Sequence, residues 1–93
     1  MDLEKCMLVR FSKKTGKIDT TLEGTGNAML RLWALQNTTP SKECLIFSRV
    51  TGKILYRVVG RKDNFPLMDK STKTDLGNIS DYCEDFLDVL GEC

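Results

Sequence analysis

The chain has 93 residues, of which 41% are hydrophobic and 29% are charged, and its formal net charge is +1. This length fits one domain, because two separate halves would each have too little interior to bury, and the ordinary composition excludes a long disordered arm. We therefore predict a single domain over residues 1–93 that folds alone or as an oligomer.

The sequence favours a cytoplasmic protein with no membrane contact. No stretch approaches the roughly 18 consecutive apolar residues that cross a bilayer, and the first residues lack a basic segment followed by an apolar one. The four cysteines form no Cys-x-x-Cys pair, whereas zinc sites of four cysteines take their ligands in close pairs. We expect free thiols and no bound metal or other cofactor. These cysteines are Cys6, Cys44, Cys83 and Cys93.

The first predicted element is a β-hairpin. Residues 7–11 and 18–22 are rich in branched and aromatic side chains and flank a turn, Thr15-Gly16-Lys17, which is the pattern of two paired strands. Glycine fits a three-residue loop in which a type I turn precedes a left-handed residue, because glycine adopts that conformation without a Cβ penalty.

A helix is predicted next, over residues 27–36, and it stops before Pro40. One face of this helix is mostly apolar, and further apolar residues flank it, which indicates a well-buried helix. The shared face consists of Met29, Leu32, Trp33 and Gln36, with Leu30 and Leu35 beside it. The preceding Gly24-Thr25-Gly26 could offer backbone amides to an anion, but it lacks the third glycine of a dinucleotide fingerprint, and an ordinary strand-to-helix turn is favoured.

A second hairpin repeats the first. The segment FSKKTGKI begins at Phe11, and the similar segment FSRVTGKI begins at Phe47, 36 positions later. The strands of this copy are residues 44–47 and 54–59, around Thr51-Gly52-Lys53. The Thr-Gly-Lys triplets are not phosphate-binding loops, because the upstream glycine is missing and isoleucine follows each lysine.

A second helix closes the chain. Apolar residues recur at spacings of three and four from Ile79 to Leu90, with acids between them, and Gly91 can end the helix. Both helices follow a Gly-Asn pair, which indicates a hairpin-helix unit over about residues 5–37 and again over about 43–91. The second unit carries about 15 extra residues, and we assign residues 60–75 to an inserted loop of the kind that often carries function.

The predicted fold is therefore α+β, with the order β-β-α-β-β-α. Four strands form a mainly antiparallel sheet, and both helices pack on one face of it, because one hairpin and helix cannot bury enough apolar area alone. Alternation turns Val9, Phe11, Leu45 and Phe47 toward the helices and leaves Leu8 and Ile46, with Arg10 and Arg57, on an open face.

Charge is unevenly distributed along the chain. Residues 5–74 hold all 14 basic residues and five acids, whereas residues 75–93 hold six acids and no base. Basic hairpins could bind nucleic acid by displacing counterions from phosphates, or the acidic C-terminal segment could neutralise them, within the molecule or across a dimer. Phe65 could stack on a base, anchor in a partner's pocket or complete the core. The candidate residues for binding a partner or nucleic acid are Arg10, Lys17, Lys53, Arg57, Arg61, Lys62 and Phe65.

An enzyme is not favoured. The chain has no histidine, which removes the commonest general base, and no neighbour singles out a cysteine nucleophile. We expect a small cytosolic protein-interaction module that uses the open sheet face and the loop from Arg61 to Pro66, and a homodimer is one form that this interaction could take. The alternative is a nucleic-acid-binding protein that uses the basic hairpins.

Overall fold

A computed structural model of the chain describes residues 5–62, 64–71 and 75–81. The described strands are all antiparallel and form one five-stranded sheet in the order β2-β1-β3-β4-β5. The strands are β1 Lys5–Ser12, β2 Ile18–Thr25, β3 Lys42–Ser48, β4 Ile54–Arg61 and β5 Asn64–Lys70. One α-helix, α1, spans Ala28–Asn37, and a short 3-10 turn spans Ile79–Asp81.

The prediction of four strands with two helices is wrong. The segment assigned to an inserted loop contains a fifth strand, in which Leu67 and Met68 pair with Val59 and Val58 of β4. Pro66 is unusual in a strand because proline has no N–H to donate to a neighbouring strand. It is tolerated in β5 because this strand lies at the edge of the sheet. The second predicted helix begins as the 3-10 turn, and its remaining residues, 82–90, lie outside the described residues.

The two hairpins of the repeat have the same turn. In each, a serine N–H donates to the carbonyl oxygen of a lysine at 3.0 Å, and the glycine N–H donates to the carbonyl oxygen of that serine at 2.8 Å. Each serine hydroxyl also accepts N–H groups from two loop residues, and each threonine hydroxyl accepts from the lysine N–H at 3.2 Å. The predicted left-handed glycines are confirmed, with φ of 74° at Gly16 and 77° at Gly52. The loop between serine and lysine has four residues, one more than expected.

An approximate two-fold axis relates the hairpins. β1 and β3 pair antiparallel, and at the centre of the pairing Val9 faces Leu45, which is its own equivalent 36 positions later. The irregularities between Arg10 and Phe11 and between Ile46 and Phe47 are equivalent as well. The repeat ends after the hairpins, since residues 28–37 form α1 whereas the equivalent positions begin with β5. The unit that repeats is therefore the hairpin and not a hairpin with a helix.

Both faces of the sheet are covered, which corrects the expected one-sided arrangement. On the front face, α1 packs through Leu30 and Ala34. On the back face, Leu76 and Ile79 of the C-terminal segment pack against the sheet. The buried front-face strand residues are Cys6, Leu8, Cys44, Ile46 and Val58. The buried back-face strand residues are Met7, Val9, Phe11, Leu45, Phe47 and Ile54.

The predicted orientation of the strands is also wrong. Leu8 and Ile46, expected on an open face, are 0% exposed and belong to the cluster packed against α1. The unbroken apolar runs at residues 6–9 and 44–47 are typical of strands buried on both faces, and alternation cannot orient such strands.

Candidate functional site

The exposed side of α1 carries three of the six large hydrophobic side chains that are exposed among the described residues. Met29 is 75% exposed, Leu32 49% and Leu35 40%, and we call this stripe, with the exposed Ala28 and Gln36, the outer surface of α1. The helix has one charged residue, Arg31, whose guanidinium lies 5.1 Å from the centre of the Tyr56 ring. The outer surface is therefore free of carboxylates and ammonium groups along the length of the helix.

Sequence reasoning missed this surface because it placed the apolar stripe toward the core. Met29 and Leu32 were expected to face the sheet, but the buried residues of the helix are Leu30 and Ala34. One signal was present: apolar residues occur on more than one side of this helix, with Leu30 on one side and Leu32 and Leu35 on another, which exceeds the single apolar stripe of an ordinary surface helix. Here the described residues cover only one side.

A second candidate surface lies at one end of the sheet. The β1–β2 turn and the β4–β5 connection meet there, because β1 and β4 both run toward this end. The loop between α1 and β3 joins them, since the Lys13 N–H donates to the carbonyl oxygen of Ser41 and Gly60 lies against the backbone of Thr39. Its exposed cations and its exposed aromatic ring, which together we call the basic end, are Lys13, Lys14, Lys17, Arg61, Lys62 and Phe65.

The basic end is not neutralised by described acids. Asp19 already accepts from Arg10 at 2.9 Å and from Lys42 at 2.6 Å, and these hydrogen bonds, led by the one from Lys42, hold the pKa of the Asp19 carboxyl far below its usual range. The nearly buried Glu43 carboxylate accepts from Arg57 at 3.0 Å. Within the described residues, the five cations of the basic end make no ion pair.

Phe65 is 87% exposed, and its backbone is fixed. Arg61 Nε donates to the carbonyl oxygen of Phe65 at 2.8 Å, which ties the start of β5 to the end of β4. Of the three roles left open for Phe65, completion of the core is excluded by this exposure. A phenyl ring held in solvent beside exposed cations can stack on another aromatic group.

Four of the seven residues selected from the sequence are brought together, and three are not. Lys17, Arg61, Lys62 and Phe65 lie at the basic end, together with Lys13 and Lys14, whereas Lys53 lies in the second turn at the opposite end of the sheet. Arg10 bonds Asp19 and the carbonyl oxygen of Asn37 and lies 5.3 Å from the centre of the Trp33 ring. Arg57 lies mid-sheet in its ion pair with Glu43. The two arginines stabilise the fold through these contacts.

The Gly24-Thr25-Gly26 turn borders an open depression of about 310 Å³ at the opposite end. Lys5 and Arg49 also line it, but Arg49 is engaged with Glu23, whose carboxylate lies 3.1 Å from Nη1 of the arginine. The depression therefore presents charges of both signs, and nothing in it singles out an anion.

The described residues offer neither a metal-binding group nor a reactive Cys44 thiol. Among residues 5–62, 64–71 and 75–81, no group of three or more Cys, Asp or Glu side chains could hold a metal ion. Cys6 and Cys44 are free and buried, as expected. Burial raises the pKa of the Cys44 thiol, which lies 3.0 Å from the hydroxyl oxygen of Thr38. A protonated thiol under α1 is a packing group and a poor nucleophile.

No family model matches this chain, and neither the curated proteins nor the solved structures contain a match to it. No helix within the described part of the chain is long and apolar enough to span a membrane.

Proposed function

We propose that this chain is a small, non-enzymatic protein-interaction module that associates with a second copy of itself through the outer surface of α1. The observation that carries the proposal is the exposure of Met29, Leu32 and Leu35 on one side of a helix whose other side is buried. Large apolar side chains grouped on a surface are typical of protein interfaces, whereas isolated ones are ordinary.

The stripe is self-complementary. Leu32 lies three positions from Met29 and three from Leu35, so an antiparallel pair of helices about a two-fold axis at Leu32 places Met29 of each copy opposite Leu35 of the other. No charged side chain lies on this seam, because Arg31 is directed toward Tyr56. The pair therefore buries apolar area without an unpaired charge, which would otherwise oppose association.

The size of the helix sets the strength of this contact. Ten residues make a helix about 15 Å long, and two such helices alone bury less than the roughly 1,000 Å² that a stable interface needs. We expect a weak dimer that dissociates on dilution and whose contacts extend to residues beside the helix.

Two further observations support a non-enzymatic role and a cytoplasmic location. The chain lacks histidine, and burial raises the pKa of the Cys44 thiol, which supports a role without catalysis. Free thiols persist in reducing compartments, which supports the cytoplasm as its location.

The test is the molar mass in solution of the wild type and two variants. Sedimentation over concentrations from about 10 μM to about 1 mM should show a rising average mass for the wild type, since weak interfaces have dissociation constants in this range. Leu32→Glu should remain monomeric throughout, because it puts a carboxylate at the centre of the seam. The matched control is Val50→Glu, which changes a side chain that is 78% exposed in the second turn and should dimerise like the wild type. A wild type that stays monomeric, or equal effects of the two variants, would overturn the proposal.

A further inference from the structure

We propose that the basic end binds single-stranded nucleic acid, with its lysines on the phosphates and Phe65 stacked on a base. This inference does not depend on the proposed function, because the basic end and the outer surface of α1 share no residue. It differs from the sequence-based alternative in the surface used. Arg10, Lys53 and Arg57 are not part of it.

Paired and unpaired charges are distributed unevenly between the two ends of the sheet. Asp19 and Glu43, the described acids near this end, are held in ion pairs with residues of the scaffold. The five exposed cations face solvent with no described carboxylate bonded to them. At the opposite end, Lys5 lines a depression with the paired Glu23 and Arg49, and Lys53 pairs through its backbone with Asn78, whose N–H donates to Asp81. Among the described residues, the excess of exposed cations over carboxylates is therefore larger at the basic end, which favours an anionic ligand there.

Phe65 supplies an aromatic ring on which a base can stack. Single-stranded nucleic acids are held by cations that follow the backbone and by aromatic side chains on which bases stack. Phe65 supplies a ring that is 87% exposed, next to Arg61 and Lys62, on a hairpin end braced by the bond from Arg61 Nε. A duplex hides the faces of its bases, so this ring favours an unpaired strand.

The distance between the cations of the β1–β2 hairpin and those of the β4–β5 hairpin also fits a single strand. Neighbouring strands lie about 4.8 Å apart, and the centres of the β1–β2 and β4–β5 hairpins are three strands apart, so the two groups of cations are about 14 Å from one another. Phosphates of an extended strand a few nucleotides apart can contact both groups at once, which is within the range of small single-strand sites.

The repeat provides an unusually close control for the test. Lys17 and Lys53 follow the left-handed glycines of two turns with the same hydrogen bonds, both side chains are exposed, and they lie at opposite ends of the sheet. Lys17→Glu and Lys53→Glu therefore make the same change in net charge at equivalent positions of the two turns. Lys53 differs from Lys17 in its backbone pairing with Asn78.

The experiment measures the fluorescence anisotropy of a labelled homothymidine strand of about 12 nucleotides, titrated with the whole chain at low salt. We expect saturable binding that weakens as salt is raised. Lys17→Glu and Lys62→Glu should each weaken it by about fivefold or more, whereas Lys53→Glu should change it less than about twofold. Phe65→Ala should weaken binding of this strand by about fivefold or more, as loss of one stacked base does, and should leave retention on heparin, which has no bases, unchanged.

Several results would overturn the proposal. Equal effects of Lys17→Glu and Lys53→Glu would show that only net charge matters. A Phe65→Ala variant that binds the strand as the wild type does, or a wild type that prefers a duplex of the same length, would exclude stacking. Absence of binding at low salt would exclude the ligand class altogether. Circular dichroism of each variant confirms that the fold is intact.

Discussion

Substitution of the two turn glycines by alanine tests how the C-terminal segment is fixed to the sheet. Both glycines have positive φ, so alanine costs about 1 kcal/mol of left-handed strain at either position. Their surroundings differ. A Cβ at Gly16 would have no heavy atom within 4 Å, whereas a Cβ at Gly52 would lie 2.8 Å from Oδ1 of Asn78.

The Asn78 side chain has little freedom to move away. Its Nδ2 donates to the carbonyl oxygen of Thr51 at 3.0 Å, and the N–H of the next residue, Ile79, donates to the carbonyl oxygen of Gly52 at 2.8 Å. Weakening these two bonds costs about 1 kcal/mol each. We therefore expect Gly52→Ala to lower the free energy of unfolding by about 2–3 kcal/mol and Gly16→Ala by about 1 kcal/mol.

A double-mutant cycle in urea denaturation isolates the contact. The free energy of unfolding is measured for the wild type, Gly16→Ala, Gly52→Ala, Asn78→Ala and the combination of the last two. In the Asn78→Ala background, Gly52→Ala should cost no more than Gly16→Ala does in the wild type, which is a coupling of about 1–2 kcal/mol. Equal costs of the two glycine substitutions in the wild type, or an undiminished cost of Gly52→Ala without Asn78, would refute the reasoning.

Three further predictions concern the scaffold, each measured as a free energy of unfolding. Gly60→Ala should destabilise by about 3 kcal/mol or more, because its Cβ would overlap the carbonyl group of Thr39 and backbone cannot yield as a side chain can; a near-neutral result would contradict the close approach. Asp19→Asn should cost about 1 kcal/mol at neutral pH, as partly exposed ion pairs do. The lowered pKa of Asp19 means that this difference persists above the usual carboxyl range and vanishes as the pH falls through the lowered value; a difference that is unchanged in strong acid would contradict it. Arg57→Met should cost about 2 kcal/mol by leaving the buried Glu43 carboxylate without its bonded cation, and adding Glu43→Gln should recover part of that loss; no recovery would argue against the pair.

The repeated hairpins could be predicted because their determinants are local. Branched and aromatic residues favour strands, and Gly16 and Gly52 fix the turns through a conformation that other residues adopt at a cost. The start of α1 was predicted to within one residue for a similar reason: Gly26 precedes it with a φ of 79°.

The fifth strand and the orientation of the sheet depend on tertiary context. Pro66 is compatible with a strand only at an edge, and no local pattern shows that β5 is at the edge. Val9 and Leu8 are both 0% exposed, so neither hydrophobic alternation nor composition could assign them to a face.

The candidate binding residues were predicted in part. Strand direction explains why some of them lie together and others do not. Residues near the ends of the hairpins lie together or apart according to how β1 and β3 pair, and an antiparallel pairing sends Lys17 and Lys53 to opposite ends. The ion pairs that occupy Arg10 and Arg57 join residues 9 and 14 positions away, and no short-range motif indicates them. The apolar residues of α1 are visible in the sequence, but the exposure of Met29 and Leu32 was not predicted, because the pattern placed them toward the core and Leu30 and Ala34 occupy that side instead.

The antiparallel relation between the hairpins also determines valency. Had the copies been aligned side by side in the same direction, two lysine-bearing turns would have faced one ligand together, and their avidity would have exceeded either contact alone. In this chain the two lysine-bearing turns lie at opposite ends of the sheet, so the proposed binding to nucleic acid uses only one of them. If that proposal holds, tighter attachment to a long anionic polymer requires joining two molecules.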